Sequence, residues 1–151
     1  RRLKTAPAAD RNRVMDNQDF VDDTKDGGEL GAGHTVTALY EVELTEAGKS
    51  GQAEGEHAKV GFRYQDPGGG VSKELATVLT PAQVAPTFDA APADLRFAAG
   101  VVELAEILRR SKHSQGARFD DILAITEGLA GGDEDRMELV TLTRSAKSLW
   151  R

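Results

Sequence analysis

Gly27 to Leu44 reads GGELGAGHTVTALYEVEL, and the fold turns on how this run is taken. From Thr35 the alternation is strict: Val36, Ala38, Tyr40, Val42 and Leu44 fall on one face, and Thr35, Thr37, Leu39, Glu41 and Glu43 on the other. A period of two marks a half-buried strand, so the spacing predicts a β-strand over 35–44 with one face on a core. The glycines before it admit a different reading. Gly28 to Thr35 (GELGAGHT) has the spacing of a phosphate loop, G-x-x-x-x-G-K-[ST], with His34 in place of the lysine that reaches the terminal phosphates. A phosphate loop also leads from a strand into a helix whose N-terminus faces the anion, whereas these glycines lead into a strand. Nucleotide binding is therefore set aside. Gly31 and Gly33 are read as positions needing positive φ or close backbone approach beside a sheet, and the ring of His34 is expected to fix the loop through hydrogen bonds.

The alternation returns downstream. Ala58, Val60, Phe62 and Tyr64 alternate with Lys59, Gly61, Arg63 and Gln65, which predicts a second strand after the polar loop Thr45 to His57. Asp66 to Gly70 (DPGGG) is a turn, and Val71 to Leu79 a third strand, the hairpin partner of the second, ended by Pro81. Then the period changes. Asp94 to Arg110 places Leu95, Ala98, Val101, Val102, Ala105 and Leu108 at helical spacing, with Asp94 as N-cap and Arg109 and Arg110 at the negative end of the dipole. Glu103, Glu106, Arg109 and Arg110 are expected on its wet side. A second helix is predicted from Phe119 to Leu129, burying Phe119, Ile122, Leu123 and Leu129 and ending at Gly131 and Gly132. A third runs from Asp133 to Trp150, with Met137, Val140, Leu142, Ala146 and Leu149 inward and Trp150 as its last anchor. Strands followed by helices, without alternation, give an α+β fold: a small antiparallel β-sheet, sandwich-like, then a C-terminal bundle of about three helices.

Residues 1–15 read as a linker or N-terminal arm, since over Arg1 to Arg13 the basic Arg1, Arg2, Lys4, Arg11 and Arg13 accompany a single large apolar residue, Leu3. Residues 16–151 read as one α+β accessory domain, with about 115 residues packed. The formal net charge of -6 argues against nucleic acid, because phosphate recognition needs clustered Lys and Arg, which are scattered after residue 13. With no cysteine, disulfides, thiolate zinc sites and cysteine nucleophiles are excluded. No apolar run reaches the roughly 18 residues of a membrane span. The chain opens on Arg1 rather than Met and is expected to be a piece of a longer protein, any targeting signal lying upstream.

Asp16 to Glu29 is acidic, which raises the question of calcium. An EF-hand frame begun at Asp22 takes in Asp22, Thr24, Asp26 and Gly27, then places Gly33 where the bidentate Glu must stand. Two readings stay open: a solvated acidic loop whose Asp side chains cap local turns, and a small metal-binding or hydrolytic domain using Asp22, Asp23 and Asp26 with His34. His57 and His113 sit in polar loops and are expected to be solvated. No pair of histidines has the spacing of H-E-x-x-H, and Gly48-Lys49-Ser50-Gly51 lacks the spacing of a nucleophile elbow. Glu41 and Glu43 share the outer face of a strand, with no pocket to raise either pKa. The expectation is a chain without catalytic residue, cofactor or metal of its own.

The runs DFVDDTKDGGELGAGHTVTALYEVEL, VGFRYQDP, DLRFAAGVVELAEILRRS and FDDILAITEGLAGGDEDRMELVTLTRSA resemble the C-terminal domain of bacterial YfbK-like proteins that carry a von Willebrand factor type A domain upstream. The likeness covers roughly Arg11 to Ala146, with the signature in Gly31, Gly33, His34, Thr35, Tyr40 and Glu41. Such proteins usually read R-L-x-G-Y-E-N-R before the acidic loop. Here Arg11, Asn12 and Arg13 keep an N-R element, while Ala8, Ala9 and Asp10 replace Gly-Tyr-Glu. The resemblance implies a noncatalytic accessory domain supporting protein–protein binding or adhesion, in an exported or lipid-anchored protein of the cell envelope. It implies as partners the upstream von Willebrand factor type A domain and a protein ligand. It also implies strands before that module that pack with these. A short sheet with open edges calls for partner strands, a covering arm or a homodimer through the strand edges. Light scattering over a dilution series tests the dimer, and a monomer at every concentration counts against it.

Overall fold

The computed structural model describes residues 33–42, 46 and 57–150. These fall into two compact units that part between Val84 and Ala85.

In the first unit, β1 (Ala58–Tyr64) and β2 (Lys73–Leu79) form an antiparallel hairpin in register from Ala58 opposite Leu79 to Tyr64 opposite Lys73. β1 begins where the alternation predicts and ends at Tyr64, one residue before Gln65. β2 begins two residues later than expected, because Gly68, Gly69 and Gly70 all take positive φ and hold the chain in the turn. Pro67 fixes φ, Gly68 takes φ 100°, and the Gly69 N–H donates to the Asp66 carbonyl at 3.0 Å, the pattern of a type II turn. An ion pair between Lys73 and Asp66 ties the turn to β2.

The strand expected over 35–44 is not formed among the described residues. Residues 34–42 carry one bridge residue, Tyr40, and no regular ladder. A strand is stabilised by its neighbour's N–H and C=O groups and by a covered face, and alternation supplies neither. Val36, Tyr40 and Val42, assigned inward by the alternation, are exposed.

The second unit holds α1 (Ala93–Leu108), α2 (Phe119–Thr126) and α3 (Glu134–Leu149), so the α+β arrangement of hairpin then three helices stands. The N-cap of α1 is Pro92, with Asp94 inside the first turn, where a carboxylate suits the positive end of the dipole. At the other end the Ser111 N–H donates to the Glu106 carbonyl at 3.0 Å and the Arg110 N–H to Ile107 at 2.8 Å, a Schellman closure. Arg110 takes the φ of 53° that such a closure usually gives to glycine. α2 is shorter than expected, giving way to a 3₁₀ turn over Glu127–Leu129 before Gly131 and Gly132, both at positive φ. α3 starts as expected, the Asp133 carboxylate accepting the Arg136 N–H at 3.1 Å.

The core is Leu104, Ile107, Phe119 and Ile122, with Ala117, Leu139 and Ala146 packed against it. Phe119 and Ile122 face inward as predicted, but α1 turns a different stripe to the core. Phe97, Gly100, Leu104 and Ile107 are buried, while Leu95, Val101 and Leu108 are exposed. α1 is apolar around most of its girth, so two stripes satisfy the helical period. The packed one is that in which Gly100 lets α2 approach. Glu106, expected in solvent, is buried, its carboxylate ion-paired with Arg109 Nη2 at 3.2 Å. In α3 the inward set is Val140 and Thr143, with Leu139 and Ala146 half-buried, whereas Met137, Leu142 and Leu149 face out. Trp150 does anchor the end of α3, its ring edge-to-face with Phe119 at 5.6 Å.

A Cβ on Gly100 would lie 2.6 Å from Thr126 Cγ2, and Thr126 is fully buried with its hydroxyl donating to the Ile122 carbonyl at 2.8 Å. Gly100→Ala gains about 1 kcal/mol of helix propensity but meets a side chain that cannot yield, so a net loss of about 1–2 kcal/mol is expected in urea unfolding. Thr126→Ser removes the clashing methyl. The double variant should therefore recover part of the loss, and strict additivity would refute the contact.

Candidate functional site

The residues singled out in the sequence do not converge on a chemical centre among the described residues. Gly31, Asp22, Asp23 and Asp26 lie outside them. Gly33 has positive φ (80°), as predicted, with open space around it rather than a close neighbour. His34, Thr35, Tyr40 and Glu41 are exposed, and among the described residues none bonds to the ring of His34. His113 is exposed and His57 half-buried. No group of three or more His, Cys, Asp or Glu is placed to hold a metal among the described residues.

The hairpin builds an uncovered apolar face. Cross-strand partners share a face, so Ala58, Val60, Phe62 and Tyr64 lie with Leu79, Thr77, Leu75 and Lys73, and Lys59, Gly61 and Arg63 lie behind with Val78, Ala76 and Glu74. Val60, Phe62 and Leu75 remain 48, 55 and 60% exposed. The Phe62 and Tyr64 rings stack at 5.8 Å, and the Lys73 ammonium sits 5.9 Å from the Tyr64 centroid. This cluster is the larger apolar side-chain surface of the two that β1 and β2 present. Sequence alternation locates the face. It does not show that the face stays open, because that depends on what else packs there.

The helical unit is laced by ion pairs. Arg136 of α3 reaches Asp94 of α1 at 2.6 Å and lies 4.7 Å over the Phe97 ring; its pKa is raised, first by that hydrogen bond from its guanidinium to Asp94. Lys147 of α3 pairs with Asp120 of α2, and the hydrogen bond it donates holds that carboxyl below its ordinary range. Glu103 behaves oppositely. Burial, then the Asp121 carboxylate, pushes its pKa up. Among the described residues no helix is long and apolar enough to cross a membrane.

With this geometry in view, comparison with protein families is decisive. Residues 10–149 match the family described as uncharacterized protein YfbK, C-terminal. The chain belongs to that family. The matched residues take in the run Gly31 to Glu41, the hairpin and the three helices. No curated protein and no solved structure matches the chain.

Because the folded pKa of Glu103 lies above its unfolded value, folding disfavours the charged form. The penalty is full above the folded pKa, shrinks as pH falls toward the unfolded value, and vanishes below it. Glu103→Gln should thus stabilise the chain at pH 7 by about a few tenths of a kcal/mol after solvent screening, with the gain lost near pH 4. A gain independent of pH in paired melts would refute this account.

Proposed function

We propose that this domain is a noncatalytic accessory module that supports protein–protein binding, in a cell-envelope protein that bears a von Willebrand factor type A domain upstream. The observation that carries the reading is the open apolar face of the hairpin. Large apolar side chains left grouped and exposed on one sheet face gain free energy when a partner covers them. Val36, Tyr40 and Val42 repeat the strand period and are also exposed, so they too would gain from being covered.

Magnitude favours a tethered partner. Two seven-residue strands present a face of about 24 Å by 10 Å, far below the roughly 800 Å² per partner of a stable free complex. A partner joined in the same polypeptide acts at millimolar effective concentration and needs much less area. The upstream part of the protein meets that condition, while a free second copy does not.

Hydrogen exchange compares the 151-residue chain with the full-length protein. Slower exchange is expected in the full-length protein at the amides of 35–42 and of β1 and β2. Equal exchange in both would overturn the reading.

A further inference from the structure

We infer that a groove in the helical unit is a docking site for a cationic segment of a partner protein, one aliphatic side chain entering the groove while flanking Lys or Arg meet Glu134 and Glu138. This surface is separate from the hairpin face and does not rest on it.

The groove follows from how α2 ends. The helix gives way at Thr126 to the 3₁₀ turn, and the two glycines at positive φ then swing the chain into α3. A space of about 280 Å³ is left, lined by Glu127, Ala130, Met137, Val140, Thr141 and Arg144. Ala130 and Val140 are buried and Met137 is exposed. The Thr141 hydroxyl is already used, donating to the Met137 carbonyl at 3.0 Å. Arg144 is held by Glu127, with Nη2 at 3.0 Å and Nε at 3.3 Å from Oε1. The interior is therefore apolar, with its one cation neutralised.

The rim is acidic. Helical spacing sets Glu134 one turn before Met137 and Glu138 one turn before Thr141, and both are exposed. Arg136, Arg144 and Lys147 of α3 are engaged with Asp94, Glu127 and Asp120. Among the described residues no cation pairs with Glu134, Asp135 or Glu138. Glu134 and Asp135 stand in the first turn, where the helix dipole accounts for them. Glu138 stands beyond it, and the dipole does not account for a charge there. An apolar groove beside uncompensated carboxylates is complementary to an apolar side chain between cations. It repels nucleic acid and any acidic partner.

The probe is the capped peptide Ac-AKKLKKA-NH2, titrated into the ¹⁵N-labelled 151-residue chain and followed by chemical shifts. Shifts are expected to concentrate at the amides of Ala130, Met137, Val140 and Thr141. Replacing the central Leu by Ser should weaken binding at least about tenfold, the scale of one buried aliphatic side chain. Glu138→Gln, at an exposed position that leaves the fold intact, should weaken it about threefold. Equal binding of the Leu and Ser peptides, shifts centred elsewhere, or none at millimolar peptide would each overturn the proposal.

Discussion

Gly100 brings the backbone of α1 to the side chain of Thr126, and the helical unit depends on that approach. A side chain at position 100 would hold the helices apart and withdraw Leu104 and Ile107 from Phe119 and Ile122, the contact that makes the core. The two threonine hydroxyls this packing buries are satisfied within their own helices. The Thr126 hydroxyl donates to Ile122 and the Thr143 hydroxyl to Leu139, each at 2.8 Å, so two β-branched residues fill core volume without an orphaned donor. α2 is the middle element, packed on both α1 and α3. The pairs from α3 to Asp94, Asp120 and Glu127 lie outside the core and, being exposed at one or both partners, add little to stability. They fix the direction of α3 more than they hold the unit together.

The elements were more legible in the sequence than the faces they bury. Strict alternation located β1 to within one residue, and the Asp-Pro-Gly run located the turn, because both are local rules of backbone conformation. The helices were equally visible from their period. Which stripe of α1 turns inward was not, since Leu95, Ala98, Val102 and Ala105 satisfy the same spacing as Phe97, Gly100, Leu104 and Ile107. The second set carries the larger apolar side chains but is interrupted by Gly100, and a glycine scores nothing until its neighbour is known. Thr143 instead of Leu142 in α3 is the same case: an internally bonded hydroxyl takes the core position, and the more apolar neighbour faces out. The groove beside α3 escaped notice because it arises from the 3₁₀ ending of α2, which periodicity does not encode.

The β part shows the limit of a local signal. Alternation over 35–44 matches that over β1, yet among the described residues it is β1 that has a partner strand, beginning nine residues after Tyr64. A hairpin closes a short loop and recovers that entropy in ladder hydrogen bonds at once. Thr35 to Val42 must find its ladder across a longer connection, while its apolar residues remain in water. Ordering each residue costs about 1–2 kcal/mol, and half-exposed Val and Tyr side chains do not return that much. A sequence can therefore carry a strand's full pattern without forming one until a covering surface is supplied.

Arg110 shows how the same small core treats strain at its margin. The closure of α1 requires a left-handed residue, and a non-glycine there costs roughly 1–2 kcal/mol. A glycine would remove that cost and would also remove the guanidinium that lies 4.9 Å over the Trp150 ring. A cation over an indole contributes about 0.5–2 kcal/mol, depending on how dry it is, so the two effects nearly cancel in stability. They do not cancel in geometry. Trp150 stands at the C-terminal end of α3, edge-on to Phe119 at the start of α2, and Arg110 covers it from the end of α1. One strained residue thus brings the ends of α1 and α3 and the start of α2 onto a single aromatic ring. Gly100 sets how closely α1 and α2 pack, and Arg110 fixes where α3 ends against them.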